Sequence, residues 1–325
     1  MPTRKRVSRL TLSAALLGLY TFANGQPYPN KPIRLLIPSP PAGGTDTLGR
    51  LIRDGMQEMW SQTVVVDNRG GASGAIGCEI VARSAPDGYT LMIGSSGNLA
   101  VAPALFAKLP YDPLKDFQAI TQTTSGPQVI VAHPSVAARN ITELLALARA
   151  KPGSLNYASG GAGTTTQLGM ELFKSMGGVD IVHVPYKGTG QALSDVLGGQ
   201  VQLMMASLLP ALPHVKSARL RGVAVTSAQR TAALPDTPTV AESGLPGFET
   251  TSWHGMVMPA KTPAAISGRV HAEMVKLLNL PDVKALFLTQ GMDTVGNTPA
   301  QFAAYIHGET EKWTRVVRAL GIPPQ

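Results

Sequence analysis

The stretch "IRLLIPSPPAGGTDTLGR", Ile33 to Arg50, decides how the chain is read. Ile33, Leu35, Leu36 and Ile37 form a short apolar run bounded by turn residues, as in a strand buried on both faces. Three prolines and two glycines follow, and a helix begins near Thr45 and Asp46. Proline fixes φ, while glycine lets another group approach the backbone closely. So stiff and side-chain-poor a junction is suited to holding backbone N–H groups in a fixed place.

The same grammar repeats downstream. Leu48, Leu51, Ile52, Met56, Met59 and Trp60 share one helical face, and "TVVVDN" (63–68) reads as the next strand. "GAIGCEIVARSAPDG" is a helix with a stop, "YTLMIGSSGN" a strand running into a small-residue loop, and "NITELLALARAKPG" another helix. "LNYASGGAGTTTQLGMELF" and "IVHVPYKGTGQALSDVLGG" are again strand, glycine-rich loop and helix, with Thr164 and Gln167 at capping-box spacing. "VQLMMAS" and "LRGVAVTS" (220–227) are further strands. A last helix opens at Thr298, Pro299 and Gln301, carries a stripe of Phe302, Ile306, Trp313, Val316, Val317 and Leu320, and closes at Gly321. Alternating strands and helices predict an α/β protein with largely parallel sheets.

Two long extended segments interrupt the alternation, "FQAITQTTSGPQVIVAHP" (117–134) and "PGFETTSWHGMVMPA" (246–260). Read as crossings between domains, they return the C-terminal part to the first domain. This predicts one lobe from residues 26–125 plus 252–325 and another from 126–251, with a ligand cleft between them.

The N-terminus stands apart. Residues 1–25 carry Arg4, Lys5, Arg6 and Arg9, an apolar run from Leu10 to Phe22, and small residues at Ala23 and Gly25. That is the pattern of a secretory signal peptide cleaved before Gln26, since the apolar run falls short of the ~20 residues of a membrane span. Removing these four basic residues from the formal +8 leaves +4 on the mature chain. No basic run with interleaved aromatics remains, so nucleic acid is not an expected partner. The single cysteine, Cys78, has no internal partner and falls at a helical core position. The mature protein is expected to be soluble and monomeric.

No catalytic constellation can be assembled. "GGASGAIG" and "GSSGN" miss the spacing of a nucleophile elbow. Gly44 and Gly49 have Walker spacing, but Arg50-Leu51 follows where Lys-Ser/Thr is needed. The histidines at 133, 183, 214, 254, 271 and 307 show no metal-ligand spacing. No cofactor and no metal are implied. What is present is a set of four uncharged or nearly uncharged loops, "PPAGGTD", "GSSGN", "ASGGAGTTT" and "YKGTG". At the carboxyl ends of strands such loops open onto helix N-termini, whose free amides and partial positive charge suit a carboxylate or phosphate. Placed on opposite lobes, they would hold a molecule with an anion at each end. Ordinary tight turns give the same pattern at any single loop.

Taken together, the chain resembles the Bug family of extracytoplasmic solute receptors, the substrate-binding components of tripartite tricarboxylate transporters. "YPNKPIRLLIP", "PPAGGTDTLGR", "VVVDNRGGASGAIG", "PDGYTLMIG", "LPYDPLKDF", "KPGSLNYASGGAGT" and "LPDTPTVAESGLPGFE" are among the stretches that carry the likeness, in order along nearly the whole mature chain. The resemblance implies a periplasmic two-lobed binding protein of the type II, Venus-flytrap class that passes small carboxylates to membrane permease subunits. It also implies a site. One carboxylate end would meet Pro41, Ala42, Gly43, Gly44, Thr45 and Asp46, with Ser95, Ser96 and Gly97 adjoining. The other lobe would offer Ser159, Gly160, Gly163, Thr164 and Thr165, with Tyr186, Lys187 and Gly188 beside them. Two departures stand out. Ser39 and Ala42 replace a Phe and a Gly of the usual opening loop. Ser207 stands where many relatives carry an Asp suited to an amino group, which favours a di- or tricarboxylate or an aromatic carboxylate such as terephthalate. A sensor for a signalling partner, or an exported enzyme on the same scaffold, are the other readings.

Overall fold

Ile33, Leu35, Leu36 and Ile37 are fully buried in strand β1 (Ile33–Ile37), each such burial stabilising the chain by about 1.5–3 kcal/mol. Leu35 packs into one hydrophobic core and Leu36 into another, so the strand is covered on both faces. The computed structural model describes residues 28–322. The leader reading for residues 1–25 lies outside that range.

From β1 the chain enters α1 (Gly44–Trp60), β2 (Val64–Asn68), α2 (Ala75–Ala82), β3 (Thr90–Ser95) and the short α3 (Ala102–Leu105). A long strand, β4 (Phe117–Ala132), follows. Next come α4 (Ile141–Ala150), β5 (Asn156–Ser159), α5 (Thr165–Gly177), β6 (Val182–Pro185), α6 (Thr189–Leu197), β7 (Leu203–Ser207), α7 (Leu208–Lys216) and β8 (Arg221–Val225). The chain returns through β9 (Thr251–Pro259) and ends with α8 (Ala264–Asn279), α9 (Pro281–Thr289), β10 (Asp293–Thr294) and α10 (Pro299–Ala319).

The strands run in the order β2-β1-β3-β9-β4-β7-β5-β6, with β10 and β8 on the other side of β4. β4 changes partners along its length. Phe117 to Pro127 pair with β9, while Gln128 to Ala132 lie between β7 and β8. One strand thus belongs to two sheets, and the long extended stretch at 117–134 was the sign of it.

The sheets are mixed rather than largely parallel. β1 pairs parallel with β2 and β3, and β5 with β6 and β7. β4 and β9 are antiparallel to every strand they meet. The strand–helix units build the parallel parts, as right-handed crossovers require. The two crossing strands run back against them.

Val129 and Ile130, adjacent on β4, again serve different cores. Each sheet is therefore sandwiched between helices. In the first, Trp253 packs edge-on to Phe302, and the indole N–H groups of Trp253 and Trp313 both donate to the buried Glu309 carboxylate, at 3.0 and 3.3 Å. The C-terminal helix is thus locked onto β9. Thr298 and Gln301 close a capping box at its start. Cys78 is fully buried among these side chains, and burial pushes its thiol up to about 12.

Candidate functional site

A cleft of about 750 Å³ lies where the strand ends of both sheets meet. Four helices begin at its walls. α1 starts after Gly43, α6 after Gly188 and α7 after Ser207, and none of these three has a side-chain cap. α5 starts after Thr164, whose hydroxyl accepts the Gln167 N–H; Gln167 in turn accepts the Gly163 N–H at 2.8 Å instead of completing the box on Thr164. Uncapped first-turn amides carry partial positive charge and lack intrahelical partners. Among the residues lining the cleft, Lys187 is the one charged side chain; it is exposed and no described acid pairs with it.

Of the residues expected from sequence, Gly44, Thr45, Ser95, Gly97, Gly160, Thr164, Thr165, Tyr186, Lys187, Gly188 and Ser207 line this cleft. The others do not line it. Asp46 is 3% exposed and turns inward, accepting from Ala42 N at 2.9 Å, Arg50 Nε at 3.1 Å and Asn68 Nδ2 at 3.0 Å. Burial alone would raise its carboxyl. The bonds from Arg50, Ala42 and Asn68 outweigh that and hold it below the usual carboxylate range. Pro41 and Ala42 pack against Gly190 of α6, and Gly43 against Thr189. Gly163 lies against Phe106, and Ser96 is fully buried.

Ser159 is also fully buried. Its hydroxyl accepts the Gly161 N–H at 3.1 Å and hydrogen-bonds His183 Nε2 at 2.6 Å. His183 stacks on Tyr157, whose hydroxyl donates to Glu171 at 2.5 Å. A serine beside a histidine invites a catalytic reading, but this hydroxyl does not line the cleft and its bonds brace the glycine-rich loop. Among the described residues no three metal-ligating side chains cluster, and no helix is long and apolar enough to cross a membrane.

Three parts of the wall were not anticipated. Pro38, Ser39 and Pro40 line the cleft directly. So does the segment Gly71–Gly74, where Ala72 and Ser73 both adopt left-handed backbone (φ 45° and 55°) and Ser73 Oγ donates to Ala162 O across the cleft. Its glycines between β2 and α2 were the available signal. The floor is made by Ser252 and His254 of β9. Their sign was a pair of polar residues at alternate positions near the start of a largely apolar strand, with Trp253 between them turned to the core.

Loops from the two sheets touch across the cleft. An added Cβ at Gly188 would stand 2.8 Å from Pro40 Cγ, and one at Gly44 would stand 3.1 Å from Ser207 Cβ. Together with the Ser73–Ala162 bond, these contacts describe a closed cleft.

Fold and cleft are those of a two-lobed periplasmic binding protein. The family model described as "Tripartite tricarboxylate transporter family receptor" matches residues 48–322. Protein BugT of Bordetella pertussis is 35% identical over 308 residues, covering 94% of each chain. Among solved structures, R. palustris Rpa4515 with adipate superposes with a TM-score of 0.90 at 33% identity, over 92% of this chain and 100% of that one. MatC from Rhodopseudomonas palustris with bound malate gives 0.85 at 30% identity, over 89% of this chain and 100% of that one. The chain belongs to the Bug family of tripartite tricarboxylate transporter receptors, which are solute-binding proteins.

Proposed function

We propose that this protein captures a small di- or tricarboxylate, or an aromatic carboxylate, in the periplasm and delivers it to the membrane permease subunits of a tripartite tricarboxylate transporter. It works as a monomer without cofactor or catalysis. Residues 26–125 plus 252–325 and residues 126–251 act as the two lobes, and ligand selects the closed arrangement that the permease recognises. The observation that carries the reading is the convergence of four helix N-termini on a cleft lined by one cation and no acid. Amides at such termini bind an anion without a charged partner, directly or through water. The adipate and malate of the related structures fit the same chemistry.

The test is thermal unfolding of the ligand-stripped protein against aliphatic and aromatic diacids, their diamides and amino acids. A diacid at ~100 times its dissociation constant adds about 2.7 kcal/mol of stability, and the matching diamide adds none. Stabilisation by the diamide as strong as by the diacid would sink the anion reading. Lys187→Ala is expected to weaken diacid binding severalfold and to flatten its dependence on salt, because an exposed cation acts through a screened field. Unchanged binding and salt dependence would remove Lys187 from the site.

A further inference from the structure

His254 is unlike anything else in this cleft. It sits at the centre of the floor on β9, paired with Ser95 of β3 on one side and Thr124 of β4 on the other. The residue is 2% exposed, yet it lines the cleft. One ring nitrogen, Nδ1, meets Thr124 Oγ1 at 3.4 Å. The other, Nε2, has no hydrogen-bond partner among the described residues, but it is not among the buried polar atoms sealed from solvent. Strand alternation puts Ser252 on the same face, and it too borders the cleft. A polar ring whose free nitrogen opens onto a ligand cavity is placed to touch what fills it.

The charge around it decides the form in which it does so. Ser95, Thr124 and Ser252, its neighbours on β3, β4 and β9, are neutral. The loop between β6 and α6 contributes Lys187 as the one formal charge among the lining residues. Burial alone lowers the imidazole, to about 4, with no acid or base on the surrounding elements contributing. The ring is therefore neutral at neutral pH before an anion approaches it. A carboxylate brought within hydrogen-bonding distance of a desolvated imidazole favours its protonated form.

We propose that His254 contacts the bound ligand through Nε2 and takes up a proton from solvent as an anionic group of the ligand settles against it. The inference rests on the carboxylate reading above. It makes His254 a specificity-determining residue: the floor accepts a second carboxylate as an ion pair and holds no such partner for an uncharged end. It also links binding to pH. Between the pKa of the free ring and the higher value in the complex, each pH unit upward weakens binding about tenfold.

Titration calorimetry with malate, succinate, adipate and terephthalate, in phosphate and in Tris at the same pH, tests this. For whichever diacids bind, the apparent enthalpy is expected to differ between the buffers by the heat of taking up about one proton per ligand. His254→Gln keeps a polar side chain that cannot be protonated there. In that variant the buffer difference is expected to vanish, affinity to fall at least about tenfold, and the affinity–pH profile to flatten. A wild-type enthalpy independent of buffer overturns the inference without touching the carboxylate reading. So does a His254→Gln variant that takes up the same proton. Heat with none of the diacids, alongside no thermal shift, removes the carboxylate reading itself and the inference with it.

Discussion

The Asp46 carboxylate accepts the backbone N–H of Ala42 at 2.9 Å, and it does so with Ala42 in a left-handed conformation, φ 65°. The loop that opens the cleft is therefore held from within by an acid of α1's first turn as well as by its prolines. The same carboxylate is bound by Arg50 Nε and Asn68 Nδ2, and Asn68 Nδ2 also donates to Ser39 O at 3.1 Å. Ser39 and Ala42 were the two departures marked in this loop from the family pattern that the resemblance implies. Both are tied into this network.

Asp46→Asn is expected to destabilise the protein by about 1–3 kcal/mol at neutral pH, the usual cost of leaving buried partners unmatched. Because the folded carboxyl lies below its ordinary value, its contribution is fully present above the unfolded pKa of about 3.9 and is lost as pH falls through the folded one. Urea unfolding of both proteins across acid pH checks this. The gap between them should close only below about pH 4. A gap already closed at pH 6 would mean that Asp46 is not the anchor.

Ala42→Gly acts in the opposite direction. Left-handed backbone costs an L-residue about 1–2 kcal/mol, whereas the extra freedom of glycine in the unfolded chain costs about 0.4–1 kcal/mol. A net gain of about 0.5–1 kcal/mol in urea unfolding is expected from those two opposing effects. A lower midpoint would show that the Ala42 methyl contributes more than its backbone costs.

Where the sequence was informative, the signal was local. β1, α5, α6 and α10 announce themselves by apolar runs, glycine-rich entries and caps, and the junctions that join β1, α5 and α6 to their neighbours hold eight of the eleven expected residues that line the cleft. Residues 117–134 and 246–260 were recognisable as extended because each is long and β-branched, and they hold β4 and β9. Their direction was not, since the antiparallel pairing of β4 with β7 and β8, and of β9 with β3, is fixed by contacts far apart in the chain. Depth was equally hidden. Nothing local distinguishes Ser95, which lines the cleft, from Ser96, which turns away and is buried. Gly71–Gly74 and His254 enter the site only because the sheet order sets β1, β3 and β9 side by side.

Ser207→Asp tests the sign of the cleft. Ser207 lines it opposite Gly44, in a wall whose one formal charge is Lys187. A carboxylate there repels a diacid and offers an ammonium a partner. Diacid affinity is expected to fall at least about tenfold, or 1.4 kcal/mol, while amino-acid ligands begin to register in the same thermal assay. Undiminished diacid binding by a folded Ser207→Asp protein would place the ligand's charges elsewhere in the cleft.

Gly188→Ala separates binding from stability. Gly188 has φ 160° and ψ 155°, extended backbone that alanine also adopts, so the substitution carries no conformational penalty of its own. Its Cβ would stand 2.8 Å from Pro40 Cγ, 3.2 Å from Cδ and 3.3 Å from Cβ. A proline ring cannot swing aside as a flexible chain end can. Pro40 follows β1 and Gly188 precedes α6, so the clash arises only where the two walls meet. A methyl group at 188 is a wedge against closure that an open cleft does not feel. Unliganded Gly188→Ala is expected to unfold within about 0.5 kcal/mol of the wild type, yet to lose at least about tenfold in diacid affinity. Gly43→Ala provides the comparison. Its Cβ meets Thr189 Oγ1 at 2.7 Å, the end of a rotatable side chain, so a smaller loss is expected. Equal, wild-type affinity in both variants would mean that ligand is held without these walls touching.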